Sequence, residues 1–126
     1  MNNTAKEVFD SAVRMLGYIN NYGVSNEADI SVRLIPVVNA VYADLHYAYY
    51  GSRRVFVPIS SASDKLYLPK RLIDDCIVYG VCMHLARSEN DGDNASVYAD
   101  IYNQKRSRAT HIATKTDVLA AVSDEI

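Results

Sequence analysis

The sequence predicts a mostly α-helical protein: a small four-helix bundle-like domain with a loop or short β-hairpin at about 51–68 and a C-terminal tail. Apolar residues recur at the spacing of an amphipathic helix through residues 5–16 and 30–45, which predicts two helices. The eleven residues 76–86 carry no formal charge and are too few to cross a bilayer. They therefore indicate a helix that is buried on nearly all sides.

The first helix is predicted over about residues 5–16. Thr4 can cap it, and Glu7, three residues later, completes a capping box. Gly17 is placed as a C-terminal stop. The stripe expected to face the core consists of Val8, Phe9, Ala12, Val13 and Leu16.

The second helix is predicted from near Asn26 to just before Gly51. Its apolar and aromatic repeat consists of Ile30, Leu34, Val37, Val38, Val41, Tyr42 and Leu45. Pro36 interrupts the repeat. Because proline lacks an N–H and clashes with the preceding turn, we expect a kink or a break there, or a new helix that begins at Pro36.

The next segment is rich in β-forming residues. Residues 53–59 alternate partly between polar and apolar side chains, and residues 64–68 follow after a serine-rich stretch at 60–63. Pairing of the two runs would give a short hairpin, and the alternative is an ordered loop.

The third helix is predicted over about residues 69–88. Pro69 is expected at its first position, where a missing N–H costs nothing. Gly80 lies inside this helix at a cost of about 1 kcal/mol relative to alanine. Its presence predicts the close approach of another helix, for which the second helix offers Ala40 and Ala43.

The turn-forming cluster at 90–93 is expected to separate the third helix from a fourth over about 94–108. The inward residues of the fourth helix are expected to be Ala95, Tyr98 and either Ile101 or Tyr102. Residues 1–108 are thus predicted to form one helical domain. Residues 109–126 form a tail with a short apolar run at 118–122 and a possible role in docking to a partner.

Composition narrows the class of protein. The net charge of −2 gives no reason to expect a free nucleic-acid-binding protein. Cys76 and Cys82 lie six apart on one predicted helix, about 240° apart around its axis, so they are expected to be buried thiols rather than a disulfide. No apolar leader and no membrane span are recognised, so we expect a protein made in a reducing cytosol.

The residue pattern predicts no catalytic, cofactor-binding or metal site, and hence not an enzyme. The histidines are on separate predicted elements and no Cys-x-x-Cys pair exists. Residues 91–94 lack the register of a calcium loop and are better explained as a turn and helix cap. Asp74 and Asp75 point about 100° apart on a helix and are expected to be first-turn acids that favour the helix dipole. The three histidines are His46, His84 and His111.

Contact with a partner or with DNA is the remaining possibility. A basic stretch without an acid runs from 101 to 116, and a second basic pair lies in the 51–68 segment. The alternative for the basic stretch is a solvated helix end that favours the dipole. The contact candidates are Arg53, Arg54, Lys105, Arg106, Arg108, Val118, Leu119 and Val122.

The order of several packing motifs resembles the small head–tail connector (adaptor, or head-completion) proteins of tailed bacteriophages and prophages. The resemblance covers roughly residues 4–108. In the second half of the chain it rests on Leu68-Pro69, Asp74 or Asp75, Tyr79-Gly80-Val81, Leu85-Ala86, Gly92-Asp93, Tyr102 and Lys105. On the preceding helix it rests on Asn39, Tyr42, Asp44 and Leu45.

This resemblance implies a structural virion protein without covalent chemistry. Connectors of this kind form a homo-oligomeric ring beneath the portal, and by analogy with the family the ring is twelvefold. The implied partners are the portal protein, a tail or stopper protein and packaged DNA passing through the ring, with no membrane. The implied location is the head–tail joint of a virion assembled in a bacterial host. The alternative is a small helical regulatory or nucleic-acid-binding protein of a mobile element, and an enzyme with an unrecognised site ranks last.

Overall fold

The structure of the chain, a computed structural model, describes the backbone of residues 3–18 and 28–124 and the side chains of residues 3–18 and 30–109. The predicted mostly α-helical fold is confirmed. Within the described ranges there is no β-strand, and the only β-like pairing is an isolated bridge between Thr4 and Lys65. The helices are α1 Ala5–Leu16, α2 Ala28–Ser31, α3 Leu34–Tyr50, α4 Lys70–Asp75, α5 Ile77–Ser88 and α6 Gly92–Asp124.

Helix α1 has the bounds and caps that the sequence predicts. The Thr4 hydroxyl accepts a hydrogen bond from the Glu7 N–H at 3.2 Å, and the Glu7 carboxylate accepts one from the Thr4 N–H at 3.3 Å. Gly17 ends the helix at a φ of 74°, a left-handed conformation that glycine adopts without steric cost. The five residues predicted to face the core are all buried.

Pro36 lies in the first turn of a new helix. Helix α2 ends at Ser31, a turn follows at Val32 and Arg33, and α3 begins at Leu34. The expected interruption is therefore a break at Val32 and Arg33, and the new helix begins two residues before the proline rather than at it. Proline is tolerated there because first-turn N–H groups have no partner inside the helix.

The predicted third helix is two helices. Its backbone breaks at Cys76, where φ is −128° and ψ is −53°. Pro69 is not the first helical residue as predicted: it is the N-cap of α4, and its carbonyl accepts hydrogen bonds from the N–H groups of Leu72 and Ile73. The break also places Asp74 and Asp75 at the end of α4, so their description as first-turn acids was wrong.

Helix α5 is the centre of the molecule. It packs against α1, α3, α4 and α6, and its near-complete burial confirms the prediction from its uncharged sequence. Its buried residues are Ile77, Val78, Gly80, Val81, Cys82, Met83, Leu85 and Ala86. Cys76 and Cys82 are both buried free thiols, as expected.

Helix α6 begins after a turn that Asp91 caps. The Asp91 carboxylate accepts a hydrogen bond from the Asn94 N–H at 3.3 Å, which confirms the turn-and-cap interpretation of 91–94. The helix does not end near 108 as predicted but continues to Asp124. A helix of 33 residues is about 50 Å long. Of the residues expected inward, Ala95 and Tyr102 are buried and Tyr98 and Ile101 are half-buried.

The segment 51–68 is an ordered loop rather than a hairpin. The loop is held by hydrogen bonds from side chains and from the N-terminal segment, rather than by the hydrogen bonds between paired strands. The Asn39 amide bonds both backbone groups of Ile59, at 2.8 and 3.0 Å. The Tyr42 hydroxyl accepts a hydrogen bond from the Tyr67 N–H at 3.0 Å. No helix among the described residues is long and apolar enough to cross a membrane.

Candidate protein-interaction surface

Five aromatic rings cluster where the C-terminal end of α3 meets the 51–68 loop. The His46 ring lies at the centre, with its centroid 5.0 Å from that of Tyr50 and 5.3 Å from that of Phe56. Tyr47 packs on the His46 ring at 5.5 Å, and Tyr42 packs on Phe56 at 5.1 Å. Spacings of 4.5–7 Å with tilted or edge-on rings are those that aromatic pairs prefer. The cluster therefore makes this end of α3 rigid.

His46 has a buried, unsatisfied polar atom within the described part of the chain. The residue is 5% exposed, and its buried Nδ1 atom has no hydrogen-bond partner among the described residues. Burial lowers the pKa of the imidazole, and the nearby Arg54 guanidinium lowers it further, so the ring is neutral at pH 7. A buried polar atom left unpaired costs about 1–3 kcal/mol. Such an atom calls for a functional explanation.

Two adjoining cavities open over this cluster. The first, of about 290 Å³, lies between α3 and the loop and is walled by Tyr42, His46 and Tyr50. The second, of about 390 Å³, continues towards α4. Both are lined by Tyr50, Arg54, Lys65 and Tyr67. We call the pair the aromatic groove.

Apolar side chains stand exposed along the aromatic groove. Val55 is 87% exposed, Val57 70% and Tyr67 71%. Scattered apolar residues are normal on a surface, but a contiguous exposed patch beside a cavity is typical of a contact site for another protein. The groove therefore has the composition of an interaction surface: an aromatic floor, apolar walls and a basic rim.

Of the two basic loop residues predicted as contacts, Arg53 and Arg54, the first stabilises the end of a helix. The Arg53 guanidinium donates hydrogen bonds to the carbonyls of Tyr50 and Tyr49, at 3.0 and 2.9 Å, and so caps the C-terminus of α3. The Arg54 guanidinium lies over the Tyr50 ring, 4.6 Å from its centroid, on the rim of the groove. Arg54 is thus the better placed of the pair to meet a partner.

Two cations of the basic stretch of α6, Lys105 and Arg106, are engaged within the molecule. Lys105 pairs with Asp75 at 2.9 Å and lies over the Tyr79 ring. Arg106 bonds both carboxylate oxygens of Asp44, at 2.7 and 3.1 Å. We expected Lys105 and Arg106 to be exposed, and both are only half-exposed because an acid on another helix holds them.

Arg108 remains on the surface and borders an open depression with Ser107, while Ala109 beside it is buried. The other candidates of this region, Val118, Leu119 and Val122, lie on the continuous helix α6, and their side chains fall outside the described residues. Arg108 is therefore the one basic candidate of α6 whose described side chain is exposed.

Asp44 joins α3 to α6. Besides Arg106 it accepts a hydrogen bond from the Tyr102 hydroxyl at 2.5 Å. Burial alone would raise the pKa of Asp44, but the hydrogen bonds from Arg106 and Tyr102 outweigh it, so the pKa is lowered. Burial and the same hydrogen bond raise the pKa of the Tyr102 phenol. Asp44 therefore remains ionised and fixes α6 to α3.

Among the described residues no group of three or more His, Cys, Asp or Glu is placed to hold a metal ion. Asp74 and Asp75 diverge as predicted: Asp74 pairs with Lys70 on its own helix, and Asp75 pairs with Lys105 on α6. The Cys76 and Cys82 thiols have their pKa raised to about 12 by burial. They are therefore protonated and poor nucleophiles at pH 7.

No family model, curated protein or solved structure matches this chain.

Of the residues that line the groove, Arg54 was predicted as a contact, and the others were not anticipated as a site. His46 was considered only as a metal ligand, and Val55, Val57 and Tyr67 only as strand residues. Alternation in 65–68 was the available indication, because Leu66 and Leu68 are buried while Lys65 and Tyr67 are exposed. The cavity itself depends on contacts between α3 and the loop, which no local pattern specifies.

Proposed function

We propose that this chain is a structural protein of a bacteriophage head–tail joint, which assembles as a ring on the portal and connects the head to the tail. The resemblance of residues 4–108 to small head–tail connectors suggests this class. The observation that carries the proposal is the position of four residues on which the resemblance rests. Contacts between distant parts of the chain are made by Asn39, Tyr42, Asp44 and Tyr102.

These contacts suit a structural protein that is under mechanical load. Asn39 and Tyr42 hold the loop, and Asp44 holds α6, so α3 ties both to the helical core. A joint that retains packaged DNA has to keep its shape under load and to offer surfaces to several proteins. The rigid aromatic cluster and the exposed apolar groove meet these two requirements.

The rival function, a free nucleic-acid-binding protein, is less well supported. Phosphate contacts need available cations. Two cations of the basic stretch, Lys105 and Arg106, are paired with Asp75 and Asp44. A recognition helix would also need exposed side chains that read base edges, and α5 is buried.

Deletion of the gene tests the proposal. The phage or prophage that carries the gene is induced with and without it, and the lysates are examined by electron microscopy. We expect heads that lack attached tails, with free tails alongside, and restoration of complete virions when the gene is supplied in trans. Complete, infectious virions from the deletion strain would overturn the proposal.

A binding experiment tests the same function in vitro. The purified chain is mixed with rings of the portal protein encoded in the same genome and sedimented. Co-sedimentation that saturates at a fixed ratio of chain to portal subunit supports the connector function. Absence of binding at any ratio, with both proteins folded, contradicts it.

A further inference from the structure

We infer that the aromatic groove of one copy of this chain receives the outer face of helix α6 from a second copy. This inference deepens the proposed function, because it names the subunit contact of the proposed ring. Only the closure of these contacts into a ring rests on the proposed function. The contact between two copies of the chain does not depend on it.

The aromatic groove is built to receive another molecule. It has a partly open volume of about 290 Å³ over His46, whose buried Nδ1 has no partner among the described residues. Val55, Val57 and Tyr67 stand exposed around the opening. An unfilled, partly open volume bordered by exposed apolar side chains indicates an occupant that has apolar groups.

The rim of the groove is basic. Arg54 and Lys65 are exposed, line both cavities and form no ion pair with another described residue. Two acids line the groove, and both are engaged: Asp64 accepts hydrogen bonds from the N–H groups of Ser60 and Ser61 at 2.8 and 3.0 Å, and Asp74 pairs with Lys70 at 3.2 Å. The expected occupant is therefore acidic as well as apolar.

The outer face of α6 has this chemistry. Asp93, Val97, Asp100 and Gln104 follow one another at i, i+4, i+7 and i+11, so they share one side of the helix. All four are exposed, and Val97, at 54%, is the exposed large apolar residue of this helix within the described part of the chain. Neither aspartate forms an ion pair with another described residue. We call these four residues the α6 outer face.

The two surfaces complement each other in charge and in the placement of apolar side chains. The α6 outer face offers an apolar side chain between two carboxylates, and the groove offers an apolar opening between two cations. An amphipathic helix that lies in an apolar groove is a recurrent mode of recognition. The two surfaces share no residue, so the contact is head-to-tail, which is the kind that builds rings.

The experiment uses two variants of the full chain. The groove variant carries Val55→Asp and Lys65→Glu, and the helix variant carries Val97→Asn and Asp100→Asn. All four positions are exposed, so circular dichroism should show both variants folded. If either is not, the milder pairs Val55→Ser with Lys65→Ser and Val97→Ser with Asp100→Ser replace them. Val32→Asp serves as the control, since Val32 is 72% exposed and belongs to neither surface.

Sedimentation velocity gives the decisive comparison. We expect the wild type and the Val32→Asp control to self-associate with concentration. Each variant alone should associate at least about tenfold more weakly, which corresponds to about 1.4 kcal/mol. An equal mixture of the two variants should form dimers and nothing larger. In that mixture the intact α6 outer face of the groove variant meets the intact groove of the helix variant.

Three results would overturn the inference: association of either variant as strong as that of the wild type, a mixture that stays monomeric, or a wild type that is monomeric up to about 1 mM. None of them would decide the proposed function, which the phenotype of the gene deletion tests separately. As a further readout, the NMR signals of the His46 ring should shift on association of the wild type and stay unchanged in the groove variant alone. Unchanged His46 signals in an associating wild type would place the contact elsewhere and overturn the inference too.

Discussion

Gly80 on α5 lies against the ring of Tyr102 on α6. A Cβ added at Gly80 would be 2.8 Å from Cε1 of Tyr102, and it would also be 2.6 Å from Cγ1 of Val41 on α3. Real Cβ atoms essentially never come so close to other heavy atoms. The three helices therefore meet at this glycine, and the same Tyr102 donates its hydroxyl to Asp44.

The first prediction is that Gly80→Ala destabilises the protein and that Gly80→Leu does so more strongly. Overpacking costs about 1–3 kcal/mol, which exceeds the gain of about 1 kcal/mol from alanine's higher helix propensity. Thermal melts followed by circular dichroism measure the effect. Gly92→Ala is the matched control, because a Cβ there meets nothing within 4 Å. Equal melting temperatures for Gly80→Ala, Gly92→Ala and wild type would refute the close contact.

The glycine also shows what the sequence could and could not predict. A glycine inside a buried helix indicates the close approach of another helix, and this was correct. The partners expected were Ala40 and Ala43, whereas the structure places Val41 and Tyr102 there. Helical spacing gives the faces of one helix, but the rotation of two helices about each other depends on all their contacts together.

Local patterns were reliable where the stabilising contacts are themselves local. The capping box of α1 spans four residues, and both its hydrogen bonds were foreseen. The extent of α6 was predicted wrongly, because the predicted helix was ended where its apolar pattern faded. No glycine or proline follows Gly92, so no residue of that kind ends the helix. The break at Cys76 has no local indication at all.

The long-range pairs were beyond sequence analysis. Asp44 and Arg106 are 62 residues apart, and nothing in either segment identifies the other as its partner. The 51–68 loop was expected to be either a hairpin or a loop, and the side chains of Asn39 and Tyr42, which lie on another element, decide in favour of the loop. The aromatic groove depends on the same contacts and was missed with them.

The second prediction separates two arginines that were first grouped as surface contacts. Arg106→Ser should lower the free energy of unfolding by about 1 kcal/mol, because it removes two hydrogen bonds to a half-exposed carboxylate. Arg108→Ser should change it by less than about 0.5 kcal/mol, as is usual on a surface. Urea denaturation measures both. A larger loss for Arg108→Ser than for Arg106→Ser would contradict the structural role of Arg106.

The third prediction concerns pH. The pKa of His46 is lowered in the folded protein below its usual value of about 6.5, so between these two values the unfolded chain binds more protons. Stability should therefore fall as the pH drops from about 7 to about 5. Burial lowers the pKa of His84 as well, and it acts in the same direction.

Chemical denaturation at a series of pH values tests the contribution of His46. His46→Phe should flatten the dependence on pH, because the surrounding rings of Tyr42, Tyr47, Tyr50 and Phe56 accept another aromatic ring. In the control His84→Gln, the part of the pH dependence of stability that is due to His46 should remain. The same slope in His46→Phe as in wild type would show that His46 contributes nothing.

The fourth prediction concerns the thiols. Because burial raises the pKa of Cys76 and Cys82 to about 12, neither should react appreciably with an aromatic disulfide reagent in the native protein at pH 8. Two thiols per chain should react once guanidinium unfolds it. Rapid reaction of either cysteine without denaturant would mean that α5 is not the buried helix described above.

The last prediction concerns the C-terminal part of α6. Residues 109–126 were proposed to dock to a partner through Val118, Leu119 and Val122, which occupy one side of a helix at i, i+1 and i+4. Changing these three to serine in the full chain should weaken co-sedimentation with portal rings at least tenfold, because burial of an aliphatic side chain contributes about 1.5–3 kcal/mol. Ala120→Ser with Ala121→Ser is the matched control: it adds hydroxyls to the same helical turn and removes no large apolar group. The melting temperature of the triple variant shows whether the helical domain is intact. Binding that equals the wild type in a folded triple variant would assign portal docking to another surface, and the groove variant defined above would then be the next to assay.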